Sequence, residues 1–115
     1  MKRELLNRTK RFAIDCWYFC AMLPKSREYN AYVNQLIRCS SSVGANFRSA
    51  QRAKSKADFI YKLKLVEEET DESLYWLEIF QEISTEHNNE IKILMKEANE
   101  LLSIMVSSIK MLKNK

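Results

Sequence analysis

Four stretches of the chain repeat apolar or small residues at alternating steps of four and three, and this rhythm constrains the fold more than any other feature. The first runs Leu5, Thr9, Phe12, Cys16, Phe19, Leu23. The second runs Tyr29, Val33, Leu36, Ser40, Val43, Phe47, Ala50, and the third Phe59, Leu63, Val66, Thr70, Ser73, Leu77, Phe80. The fourth runs Ile91, Met95, Ala98, Leu102, Met105, Ile109, Leu112. Side chains at that spacing fall on one stripe of an α-helix and pack against a partner helix. Helices are expected over about residues 2–22, 26–52, 56–84 and 89–112. With one Gly and one Pro in 115 residues, there is too little turn chemistry for a many-stranded fold. Short connections bring successive helices back antiparallel, so the expected fold is all-α: a single-domain, antiparallel up-down-up-down four-helix bundle.

The breaks between the stretches have local causes. Pro24 disfavours helical geometry in the residue before it and ends the first helix. Ser55 followed by Asp58 reads as a capping box with Asp in place of Glu. Residues 85–89 read as the last loop, with Asn88 or Asn89 as the next N-cap. Gly44 lies inside the second helix, among Ser40, Ser41, Ser42 and Ala45. A helical Gly costs about 1 kcal/mol against Ala, so the spacing predicts close approach of a neighbouring helix there. Hydroxyls in the seams (Thr9, Ser40, Thr70, Ser73) keep the interfaces thin and can bond back to the preceding turn. Lys110, Lys113 and Lys115 end the fourth helix, where its dipole favours cations.

No apolar run reaches the ~20 residues of a membrane span. Charges near the N-terminus break up any signal-peptide core, so the expected compartment is the cytoplasm. Cys16, Cys20 and Cys39 lack CxxC spacing and read as buried free thiols in that compartment. A metal site from Cys16, Cys20 and His87 lacks the paired spacing of structural zinc sites. Apolar residues off the seams, among them Trp17, Tyr32, Ile60, Tyr61, Tyr75, Trp76 and Ile93, widen the apolar surface beyond one bundle's core and point to self-association.

Catalysis finds little support in the sequence. There is one histidine, His87, in a loop. No Glu-x-x-His pair for a bundle di-metal site occurs, and Glu69, Glu72 and Glu86 do not replace it. The expected protein is not an enzyme and carries no cofactor. Charge is more informative. Residues 1–54 hold 11 basic and 3 acidic side chains, net +8; residues 55–115 hold 8 basic and 12 acidic, net −4. Between Tyr29 and Ala57 there is no acid, but Arg38, Arg48, Arg52, Lys54 and Lys56 occur. Arg8, Lys10 and Arg11 add charge on the first helix. Arg presents a planar fork that bonds two phosphate oxygens, so such a row can follow a nucleic-acid backbone without reading bases. Two other readings of these side chains stand beside it. They form an ordinary solvated face, or they meet the acidic third helix of a neighbouring copy in a head-to-tail ring.

The segment from 35 to 80 carries a resemblance. Ser42-Val-Gly-Ala-Asn46, Ala50-Gln51, Ser55, Asp58-Phe59-Ile60, Lys62-Leu63, Glu69, Glu72 and Tyr75-Trp76-Leu77-Glu78 follow in family-like order. They resemble the four-helix bundle proteins of the 23S rRNA-intervening-sequence family, distantly related to accessory proteins of diversity-generating retroelements. The resemblance implies a homo-oligomer, a pentameric ring, and an accessory role with RNA or DNA and with a reverse transcriptase or other protein partner. It supplies no catalytic residues. The chain departs from the family pattern at Arg48-Ser49 and at Glu67-Glu68. The first change makes the second helix more basic, the second the third helix more acidic. The expected function is non-enzymatic binding of structured RNA or DNA through Arg38, Arg48, Arg52, Lys54 and Lys56, with Arg8, Lys10 and Arg11. The alternative is a structural homo-oligomer that scaffolds a protein partner.

Overall fold

Pro24, Ser55 and the 84–87 turn divide the chain into four helices, and each break does what its residues dictate. A computed structural model describes residues 2–115. The helices are α1 (Lys2–Ala21), α2 (Arg27–Ala50), α3 (Lys56–Ile83) and α4 (Asn88–Lys113). They lie alongside one another in a rod of 47 × 20 × 20 Å. The Ser26 hydroxyl caps α2 by accepting the Tyr29 N–H at 3.1 Å. Ser55 caps α3 in the same way, accepting the Asp58 N–H at 3.0 Å. The Asp58 carboxylate accepts the Lys54 N–H at 3.0 Å, one residue upstream of the usual capping-box partner. The start of α4 differs from expectation. Its N-cap is His87, not Asn88 or Asn89, and His87 adopts a left-handed conformation (φ 65°) with no side-chain cap bond.

Helices pack around a closed cycle: α1 on α2, α2 on α3, α3 on α4 and α4 on α1, with the last seam the sparsest. The expected seams form the core. In α1, Leu5, Thr9, Phe12, Cys16, Phe19 and the following Leu23 are all buried. In α3 the buried set is Leu63, Val66, Thr70, Ser73, Leu77 and Phe80, joined by Leu74. In α4 the buried face is Ile91, Leu94, Ala98, Leu101, Met105 and Ile109, so Leu94 and Leu101 replace Met95 and Leu102 of the expected stripe. Near one end of the rod, Phe19 meets Phe80 edge-on at 5.7 Å, and Tyr29 stacks on the same ring at 6.3 Å. At the other end the start of α1, the end of α2, the start of α3 and the end of α4 surround one apolar pocket.

Seam hydroxyls bond back along their own helices. Thr9 Oγ1 donates to the Leu5 carbonyl at 2.8 Å, Thr70 Oγ1 to Val66 at 2.6 Å, and Ser73 Oγ to Glu69 at 2.8 Å. These bonds satisfy the polar atoms without widening the interface. Gly44 sits where α2 crosses Thr9. A Cβ at position 44 would lie 3.3 Å from the Thr9 carbonyl carbon, carbonyl oxygen and Oγ1. The glycine is therefore a close-approach residue, as its sequence context implies.

The three cysteines are free and buried. Burial pushes the Cys20 thiol up to about 12 and Cys39 up to about 11. Both thiols are therefore protonated near neutrality and poorly nucleophilic. Among the described residues, no three His, Cys, Asp or Glu side chains are grouped to hold a metal ion. No helix among them is long and apolar enough to cross a membrane. Not all of the off-seam apolar residues enter the core. Trp17 is 56% exposed and forms an edge-on pair with exposed Tyr18 at 5.1 Å.

Candidate nucleic-acid interface

The eight basic residues expected to form one surface separate into two groups in the fold. Three are engaged by carboxylates of the same chain. Arg8 turns toward α4, where its guanidinium donates to both carboxylate oxygens of Glu97, at 3.0 and 2.6 Å, and to Glu100 at 3.0 Å. Arg38 bridges α2 to α3, donating to Glu69 at 3.4 Å and to Glu72. Arg11 pairs with Asp15 one turn along α1 at 3.0 Å. Arg8 and Arg38 thus tie helices together, and their charge is largely compensated where they stand.

The other five have no side-chain carboxylate within 4 Å among the described residues: Lys10, Arg48, Arg52, Lys54 and Lys56. Two of them face each other. Lys10 on α1 and Arg48 on α2 flank a groove of about 430 Å³, floored by Leu6, Thr9, Ala13, Gly44 and Ala45. The groove exists because small residues let α2 approach α1 closely, leaving long side chains to stand at its edges. Arg52 lies two residues past the end of α2, in the α2–α3 connection. Lys54 lies in the same connection and Lys56 opens α3; Arg48, Arg52, Lys54 and Lys56 are all exposed.

The fold adds cations that the linear charge pattern did not assign to this region. The Lys56 ammonium lies 3.4 Å from the Lys115 main-chain oxygen, which brings the end of α4 beside the α2–α3 connection. Lys2 and Lys115 both line the pocket at this end of the rod. On the neighbouring α3–α4 surface, Lys64 holds the Lys113 ammonium below the usual lysine range. Glu67 and Glu68 stand on that same surface, so the uncompensated cations that would attract a polyanion are those at the end of the rod. Packing of α4 on α3 brings Lys115 to Lys56, although they are far apart in sequence.

The acidic counterpart lies on α3. Glu68, Asp71, Glu78 and Glu82 are exposed along it. Glu72 is different: hydrogen bonds from Arg38 and from Trp76 Nε1, the latter at 3.1 Å, hold its carboxyl below the usual glutamate range. It is a cross-helix partner.

Comparison with known proteins matches this architecture. A crystal structure of a protein of unknown function from the S23 ribosomal protein family of Bacteroides thetaiotaomicron aligns with a TM-score of 0.86 and 28% identity. The alignment covers 96% of this chain and 99% of that one. No match is found among curated proteins. A family model described as 23S rRNA-intervening sequence protein matches residues 1–107. The chain belongs to the 23S rRNA-intervening sequence protein family.

Proposed function

We propose that this chain is a non-enzymatic accessory protein that binds structured RNA or DNA through phosphates, as an antiparallel up-down-up-down bundle assembled into a homo-oligomer. A pentameric ring is the assembly the family resemblance suggests. The carrying observation is the division of the basic residues. Arg8, Arg11 and Arg38 are compensated within the chain, whereas Lys10, Arg48, Arg52, Lys54 and Lys56 remain free along one groove and its end. Free Arg and Lys at such spacing fit backbone contacts that release counterions and carry no base specificity.

Fluorescence anisotropy with labelled structured RNA and duplex DNA, across a salt series, tests this reading. Binding is expected at low salt and falls steeply as salt rises. Arg48→Ala with Arg52→Ala is expected to weaken it at least tenfold while the oligomeric mass stays the same. Absence of binding at low salt overturns the reading. If the double variant instead loses its oligomeric mass, the arginines belong to a subunit interface. That result favours the second reading, a scaffold that assembles with itself and a protein partner. The exposed Trp17, Tyr18, Tyr61 and Tyr75, together with the acidic face of α3, favour the scaffold.

A further inference from the structure

The end of the rod where α1 and α3 begin and α2 and α4 finish carries an apolar pocket of about 370 Å³. Leu5, Phe47, Leu63 and Met105 form its floor, and Phe59 and Met111 its lips. Only Gln51 and Ser108 contribute uncharged polar side chains, and one of the two Gln51 amide N–H groups is already spent on the Phe47 carbonyl at 3.0 Å. Lys2 and Lys115, both exposed, also line it. No side-chain carboxylate lies within 4 Å of either ammonium among the described residues. The volume falls within the range of small-ligand pockets, roughly 300–1,000 Å³, and sites between bundle helices are a recurrent location for them.

The lining decides between ligand classes. A nucleobase would bury several N–H and C=O groups against a wall that offers only Ser108 and the oxygen and one N–H of Gln51, and buried polar groups left unpaired oppose binding. An alkyl chain has no such groups. The free ammonium groups of Lys2 and Lys115 select an anionic head over a neutral one. We propose that this pocket binds a medium-chain alkyl carboxylate, its chain among Leu5, Phe47, Leu63 and Met105 and its carboxylate at Lys2 and Lys115. The site lies outside the Lys10–Arg48 groove.

Isothermal titration with hexanoate, octanoate and decanoate, each below its micellar concentration, tests the proposal on the full chain. Methyl resonances of Leu5, Leu63, Met105 and Met111 are followed in parallel. Burying a methylene is worth roughly a fourfold gain in affinity, so affinity should climb by about that factor per carbon until the pocket is filled. Shifts should concentrate at those methyls. Decanol should bind at least tenfold more weakly than decanoate. Met111→Glu is at an exposed position, so it keeps the fold while placing a carboxylate at the lip; it should abolish decanoate binding, and Lys2→Glu should weaken it. Equal affinity across the series, equal affinity for decanol, or unchanged binding by Met111→Glu would overturn the assignment. So would loss of the far-ultraviolet helical signal at the same ligand concentrations, because the anion would then be acting as a denaturant.

Discussion

A methyl group at position 44 would have to share space with the backbone of Thr9, 3.3 Å away. Two effects oppose each other in Gly44→Ala. Alanine gains about 1 kcal/mol of helix propensity, and the α1 backbone must yield by a few tenths of an ångström. The two roughly cancel, so the substitution should change stability by less than about 1 kcal/mol. Gly44→Val adds two more carbons against a backbone that cannot rotate out of the way. Overpacking of that kind costs about 1–3 kcal/mol, read as a lower urea midpoint at unchanged m-value. A loss no larger than that of Gly44→Ala would mean α1 and α2 are free to separate at this crossing. The glycine's role was legible because it is the chain's only one and sits in a run of small residues. His87 was not legible. Asn88 and Asn89 are better capping residues by type, yet α4 begins at Asn88, and the Ile91 N–H bonds the His87 carbonyl at 3.1 Å. Where a four-residue turn must reverse the chain, loop closure chooses the left-handed residue, and side-chain preference comes second.

At the scale of elements, the helices are joined by forks of charge as well as by their seams. Arg8 ties α1 to α4, and Arg38 ties α2 to α3, each reaching two glutamates. The Arg38 fork makes a testable pH dependence. Hydrogen bonds from Arg38 and Trp76 favour the Glu72 carboxylate, so its folded pKa lies below the ordinary value of 4.5. A depressed carboxyl contributes stability above the unfolded pKa and loses it as pH falls through the folded one. Replacing Arg38 by Met should therefore cost more at pH 7 than at pH 3, toward which the Glu72 carboxylate progressively loses its charge. The pair is partly exposed, which limits the difference to about 0.2–1 kcal/mol. Urea unfolding of both proteins at the two pH values measures it; an equal cost at both would mean the fork adds nothing beyond packing. The seams were largely readable from spacing, but the phase of α4 was not. Ile91, Ala98 and Met105 belong to either of two stripes, and the sequence offers an apolar residue on both: Leu94 or Met95, Leu101 or Leu102. A straight helix of 3.6 residues per turn drifts from a seven-residue repeat, and the packed bundle buries Leu94 and Leu101. The partners of Arg8 and Arg38 were equally hidden, because ion pairs between helices depend on rotation about each axis.

At the scale of the whole molecule, the imbalance between a basic first half and an acidic second half becomes a matter of which charges are left over. The linear pattern located the basic segment but could not separate cations bound to the chain's own carboxylates from those available to a polyanion. That separation arises only when α3 and α4 fold back on α2 and α1. It also provides a way to count subunits on a bound duplex. Each phosphate neutralised lowers log K by about 0.9 per unit of log salt concentration. Arg52→Ala removes one free cation from every subunit and leaves the groove floor and the helix-joining forks intact. If one subunit of an oligomer touches the duplex, the slope of the variant should be shallower by about 0.9; if two do, by about 1.8. In the proposed oligomer the Lys10–Arg48 groove recurs on every subunit, and a bound duplex is proposed to contact at least two of them. The expected change is therefore about 1.8 or more, measured alongside the mass of the complex by sedimentation. A change near 0.9 would confine binding to one subunit. An unchanged slope with unchanged affinity would remove Arg52 from the phosphate contacts, and with it the case that the α2–α3 connection extends the groove.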